Sequence, residues 1–144
     1  MKRIAAIALL AASTFITAGS VLAQDSPVKA TIPFNFTVGS STLPAGSYTI
    51  SSRTASGDVL ALSNWQKNVN VLTMGMPNQN PERSNVLVFH KYETKDGAKY
   101  FLSEIRSGGA LNVRFTATKA EKRAKAQIEE AGLFVSDPIL LALN

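Results

Sequence analysis

One histidine, one tryptophan, ten carboxylates and no cysteine bound the chemistry open to this 144-residue chain. The missing thiol removes cysteine nucleophiles, cysteine–zinc sites, iron–sulfur clusters and thiolate-ligated haem, and a single imidazole removes multi-histidine metal sites. No cofactor is expected. His90 alternates with Val88 and Tyr92, which places it in a strand, and Ser103 lies in the next candidate strand. A hydrolase would use His90 as general base and Ser103 as nucleophile, with a third residue orienting the imidazole. No residue at an informative spacing supplies that third member, and there is no Gly-x-Ser-x-Gly elbow. The competing reading of His90 is a half-buried histidine hydrogen-bonded to a neighbour.

The carboxylates Asp25, Asp58, Glu82, Glu93, Asp96, Glu104, Glu121, Glu129, Glu130 and Asp137 fall mostly at turns or on one helical segment. Glycosidase chemistry needs two of them facing across a cleft, roughly 5 to 9.5 Å apart. Only Glu104 sits within an aromatic-rich strand, where a cross-strand pair with Lys91 accounts for it. The run from Glu93 to Gly97 lacks the alternating oxygen ligands of a calcium loop. Gly108-Gly109, without a strand-loop-helix context and a following Lys-Ser/Thr, is a turn and not a phosphate cradle. Residues 119–125 carry a local net charge of +3, which suits a solvated helix face; nucleic acid is not an expected partner. Trp65 stands in a polar loop with Asn64, Gln66, Lys67 and Asn68. An aromatic ring flanked by amides can stack on a sugar while the amides bond its hydroxyls, whereas a lone tryptophan at a strand end can also cap the edge of a core.

These residues need a scaffold, and the first segment of the chain is not part of it. Lys2 and Arg3, the apolar run Ile4–Ile16 and the small-residue end Val21-Leu22-Ala23 have the layout of a secretory signal peptide, residues 1–23. An uncleaved membrane anchor is the alternative, but it needs about 20 strongly apolar residues, and Thr17, Gly19 and Ser20 interrupt the second half. Removing 1–23 leaves 121 residues and takes the net charge from +5 to +3. The mature product is expected to be exported, periplasmic or extracellular, with no transmembrane span. A chain of that size buries roughly 65% of its unfolded surface, enough for one core without disulfides.

Residues 24–144 are expected to form a single β-rich domain: an antiparallel sandwich or small barrel of about six to eight strands with one C-terminal helix. Ile32, Phe34, Phe36 and Val38 alternate strictly, predicting one strand over Ile32–Val38 that, because of Pro33, either begins at a sheet edge or turns its proline amide away from the neighbouring strand. Gly39–Gly46 is a turn, and Tyr48–Ser52 returns. Further strands are expected over Val59–Ser63, Val69–Met74, Asn85–Tyr92, Tyr100–Ser107 and Leu111–Phe115. The longest unpatterned stretch, Gly75–Ser84, is the expected mobile or ligand-facing loop. Asp96-Gly97 predicts a two-residue primed turn, which sets Tyr92 opposite Phe101, His90 opposite Ser103 and Val88 opposite Ile105, on one mostly apolar face. Thr118 and Glu121 have capping-box spacing, so a helix is expected over about 119–131, closed by Gly132 and packing a stripe of Ala120, Ala124, Ile128 and Ala131. The apolar tail 133–144 supplies a closing strand or, left exposed, a surface for self-association.

The segments Ile32–Gly39, Leu43–Ile50, Val88–Tyr92 and Tyr100–Ile105 resemble shared segments of small exported hypothetical proteins of acidobacterial type. The likeness covers roughly residues 28–125 and implies export; it carries no activity, ligand or catalytic residue. Arg106 stands where an aromatic residue is commoner in that group, and the apolar tail lies outside the resemblance. The reading preferred on these grounds is a non-catalytic exported domain that binds a ligand, carbohydrate among the candidates, or an envelope partner. Its candidate contacts are Trp65, His90, Tyr92 and Ser103. The alternatives are a structural or assembly role in the envelope through the tail or a sheet edge, and a hydrolase using His90 and Ser103.

Overall fold

Period-two patterning builds two sheets around one core. The computed structural model describes residues 26–79, 83–108 and 111–144; the expected signal peptide lies outside the described residues. In chain order the elements are β1 (Val28–Ile32), β2 (Phe36–Val38), β3 (Ser41–Leu43), β4 (Gly46–Ser52), β5 (Val59–Asn64) and β6 (Val69–Met74), then β7 (Met76–Pro77), β8 (Val86–Thr94), β9 (Gly97–Arg106), β10 (Asn112–Arg114), α1 (Lys119–Glu130) and β11 (Ile139–Ala142). The smaller sheet has the order β1-β4-β5-β6. The larger has β11-β8-β9-β10-β7, with β2 joined to β9 and β3 to β2. Pairing is antiparallel except for the single parallel bridge Thr37–Phe101. No helix among the described residues is long and apolar enough to cross a membrane.

The fold is mainly β and sandwich-like. Ala30, Ile32, Tyr48, Ile50, Leu60 and Leu62 of the smaller sheet meet Phe36, Val38, Leu87, Phe89, Leu102, Ile105 and Val113 of the larger in one core. At one edge the Asn144 N–H donates to the Lys29 carbonyl (2.8 Å), tying the end of the chain to β1. At the other the chain passes from β6 to β7 through Gly75, where a Cβ would lie 2.2 Å from Val113 Cγ1. Only glycine allows the two layers to approach so closely there.

The strand count exceeds six to eight because β3 and β7 are only three and two residues long, too short to show a period, and because one expected strand is two. The single strand expected over Ile32–Val38 is two strands in different sheets. Pro33 lacks an N–H and ends the first ladder, and the chain crosses the core edge before β2 begins. Both sheets face the same interior, so Ile32, Phe36 and Val38 are buried on either side of the break and the alternation conceals it. The expected turn at Gly39–Gly46 contains β3, which pairs with β2 around Gly39 at φ +55°. The expected open loop at Gly75 begins as β7, and Asn78 is bonded to the Asn112 carbonyl and to Glu104; residues 80–82 lie outside the described residues.

The β8–β9 register also differs. Thr94 pairs with Gly97, so Lys95-Asp96 forms the turn, and Gly97 takes φ +104°. Tyr92 therefore opposes Lys99, and His90 opposes Phe101 instead of Ser103. A bulge follows: Phe89 pairs with Leu102 and Val88 with Glu104, leaving Ser103 as the extra residue. It moves Ile105 to the face of Leu87 and Phe89, and that face enters the main core. The His90 face is covered by α1, whose Ala124 and Ile128 pack on Tyr92 and Phe101.

The helix forms where its caps require. Thr118 Oγ1 accepts from the Glu121 N–H (3.2 Å), and Gly132 adopts φ +69° beyond Glu130. Its buried stripe is Glu121, Ala124 and Ile128, so Ala120 and Ala131 of the expected stripe stay exposed and a carboxylate takes the buried place. Half of the apolar tail completes the larger sheet: β11 pairs with β8, while Leu133, Phe134 and Val135 remain exposed.

Candidate functional site

Three of the four residues singled out by sequence, His90, Tyr92 and Ser103, come together on the helix-covered face of the larger sheet; Trp65 does not join them. The Glu121 carboxylate is 6% exposed. Its Oε1 is 2.7 Å from His90 Nδ1 and accepts from the Tyr92 hydroxyl at 3.2 Å. Glu121 thus uses its backbone N–H for the cap and its side chain to pin the helix to β8. Burial, with the neighbouring Glu121 charge and hydrogen bond adding to it, pushes the Tyr92 phenol up to about 12.

His90 and Ser103 line one cavity of about 370 Å³ with Glu104, Arg106, Arg114 and Glu121. Glu121 is the orienting carboxylate absent from any local spacing; it lies 31 residues from His90. Its only trace in the sequence is the capping-box position. The Ser103 hydroxyl makes no hydrogen bond among the described residues, and none joins it to His90. Glu104 does not pair with Lys91, because the bulge turns it to the helix side, whereas Lys91 pairs with Glu93 on its own strand. Arg106 (2.6 Å), Arg114 (3.1 Å) and Asn78 (3.0 Å) surround the Glu104 carboxylate. A carboxylate so surrounded is one member of an ion cluster. Among the described residues no group of three His, Cys, Asp or Glu side chains is placed to hold a metal ion.

Trp65 is 88% exposed, so it does not cap the core. It opens the turn between β5 and β6, where the buried Asn64 side chain accepts from the Lys67 N–H (3.1 Å) and Asn68 takes φ +51°. Asn64 holds the base of this turn, leaving the indole outside. Trp65 stands at the polar end of the smaller sheet's outer face. Tyr48, Ile50, Leu60 and Leu62 point inward on β4 and β5, so Ser47, Thr49 and Ser63 point outward. Register aligns Lys29, Thr49, Ser63 and Asn70 in one row across all four strands. Thr31 and Ser47 pair beside it, their hydroxyls 3.2 Å apart. A shallow concavity of about 310 Å³ links Trp65 and Gln66 to Thr31, Ser47 and Thr49. Three strand spacings of about 4.8 Å make the row about 14 Å long, and its hydroxyls and amides both donate and accept.

No family model, curated protein or solved structure matches this chain.

Proposed function

We propose that the chain is an exported, non-catalytic β domain that binds carbohydrate on the outer face of its smaller sheet. The observation that carries this reading is the indole of Trp65, exposed beside a four-strand polar row of one ammonium, two hydroxyls and one amide. A sugar offers the matching surfaces: an apolar ring face for the indole and hydroxyls for the row. Export rests on the layout of residues 1–23. Truncating a central aromatic contact costs about 2 kcal/mol, or roughly thirtyfold in affinity. Retention on insoluble glycans such as cellulose, chitin or peptidoglycan should therefore be lost in Trp65→Ala, with the melting temperature unchanged because the ring buries almost nothing. Equal retention of wild type and variant, or no retention of either, overturns the reading.

A hydrolytic second reading has one observation of its own: Glu121 holds His90 Nδ1 in a cavity that Ser103 also lines. It requires the Ser103 hydroxyl to meet the imidazole when substrate binds. Turnover of an activated ester that survives His90→Gln sinks it.

A further inference from the structure

Between α1 and the β2–β3 hairpin runs a groove of about 810 Å³ that shares no residue with the Trp65 face. Its floor is apolar, made by Phe101, Ala120 and Ala124. The two alanines, one turn apart, leave open the space that larger side chains would fill. Above the floor stand hydroxyls, with Thr37 Oγ1 and Thr42 Oγ1 3.2 Å apart. Three cations, Lys99, Lys119 and Arg123, also line it, and the lining contains no carboxylate.

The charges are poorly compensated. Lys99 approaches Asp96 only at 3.8 Å, and Lys119 and Arg123 form no ion pair among the described residues. Spaced i,i+4, those two lie side by side on the helix and repel each other. The one acidic residue in the same turn, Glu121, is turned away to His90 and Tyr92. Two adjacent cations at the rim can reach a single anionic group, and the floor below them favours an apolar body. The groove's volume is within the range of small-molecule sites.

We propose that this groove binds a small amphiphilic anion: an apolar body bearing one carboxylate or phosphate, its head between Lys119 and Arg123 and its body over Ala120 and Phe101. A neutral sugar satisfies neither cation, so this ligand class differs from that of the Trp65 face.

Calorimetric titration of the protein with decanoate, decyl phosphate, decanol and inorganic phosphate, each below its aggregation threshold, separates the terms. At least one of the two anionic amphiphiles should bind and raise the melting temperature, and the preference between them identifies the head group. Decanol, lacking the charge, and phosphate, lacking the body, should each bind at least tenfold more weakly. Lys119→Gln with Arg123→Gln should weaken the anion tenfold or more. Ala120→Leu, which fills the floor but keeps every charge, should weaken it as well and stands as the second test if the double variant fails to fold. Trp65→Ala should leave anion binding intact, so loss of glycan retention and loss of anion binding report on separate sites. Undetectable binding of both anions, equal binding of decanol, or unchanged affinity in the folded variants overturns the proposal.

Discussion

Raising the pH from 8 to 12 should weaken the docking of α1 on β8, because between pH 10 and about 12 the Tyr92 phenol keeps its proton only in the folded chain. Tyr92 is 4% exposed and donates to Glu121, and its pKa rises from 10.0 to about 12. Below pH 10 the phenol is protonated in both folded and unfolded chains, so it contributes no pH dependence. Between pH 10 and about 12 the unfolded chain releases this proton while the folded chain retains it, and stability falls as pH rises. Two pH units at about 1.36 kcal/mol each give a total loss of about 2.7 kcal/mol, most of it complete by pH 12. Tyr92→Phe removes the linkage. At pH 8 the variant should be less stable by about 1 kcal/mol for the lost hydrogen bond, and by pH 12 it should be the more stable of the two. Urea unfolding of both proteins at pH 8, 10, 11 and 12 tests this, since every contribution the two proteins share cancels in the difference. Parallel loss of stability in the two proteins refutes the placement of Tyr92 against Glu121.

Gly75→Ala should cost about 2–3 kcal/mol, read as a lower urea midpoint, because its Cβ would lie 2.2 Å from Val113 Cγ1 where β6 crosses to β7. An unchanged midpoint would mean that the two layers are farther apart at that edge. Deleting residues 133–144 should lower the melting temperature substantially, since it removes β11 and the core contacts of Ile139, Leu141 and Leu143. Leu133→Ser with Phe134→Ser should leave the unfolding free energy within about 0.5 kcal/mol of wild type, because both side chains are exposed. If the protein self-associates through the tail, the double substitution should abolish that by sedimentation, and the assembly role fails if it does not.

Signals carried within a few residues were legible before any tertiary structure. The bounds of β6, and those of β5 to within one residue at its end, followed from the turn clusters on either side. The start and stop of α1 followed from the Thr118 hydroxyl and from Gly132, whose left-handed conformation suits glycine. The mainly β class followed from the density of such strands. The alternation of Ile32, Phe34, Phe36 and Val38 was equally plain, yet it records only which way side chains point, and a core shared by two sheets looks the same from either.

What local pattern left open was any choice between two apolar faces. The β8–β9 hairpin is apolar on both sides because one meets the opposing sheet and the other meets α1, so its alternation is compatible with more than one register. The turn at Lys95-Asp96 and the bulge at Ser103 select the register only in the packed hairpin. The contact that joins His90, Tyr92 and Glu121 spans some thirty residues and exists only once the helix has docked. The sequence by itself determined the mainly β class, the helix caps and the absence of thiol chemistry, since these depend on backbone torsion and side-chain type over short separations. The tertiary structure decided that Trp65 lies outside, that a carboxylate lies buried against the histidine, and that two cations with no ion pair among the described residues border one groove, because burial and charge compensation depend on residues far apart in the chain.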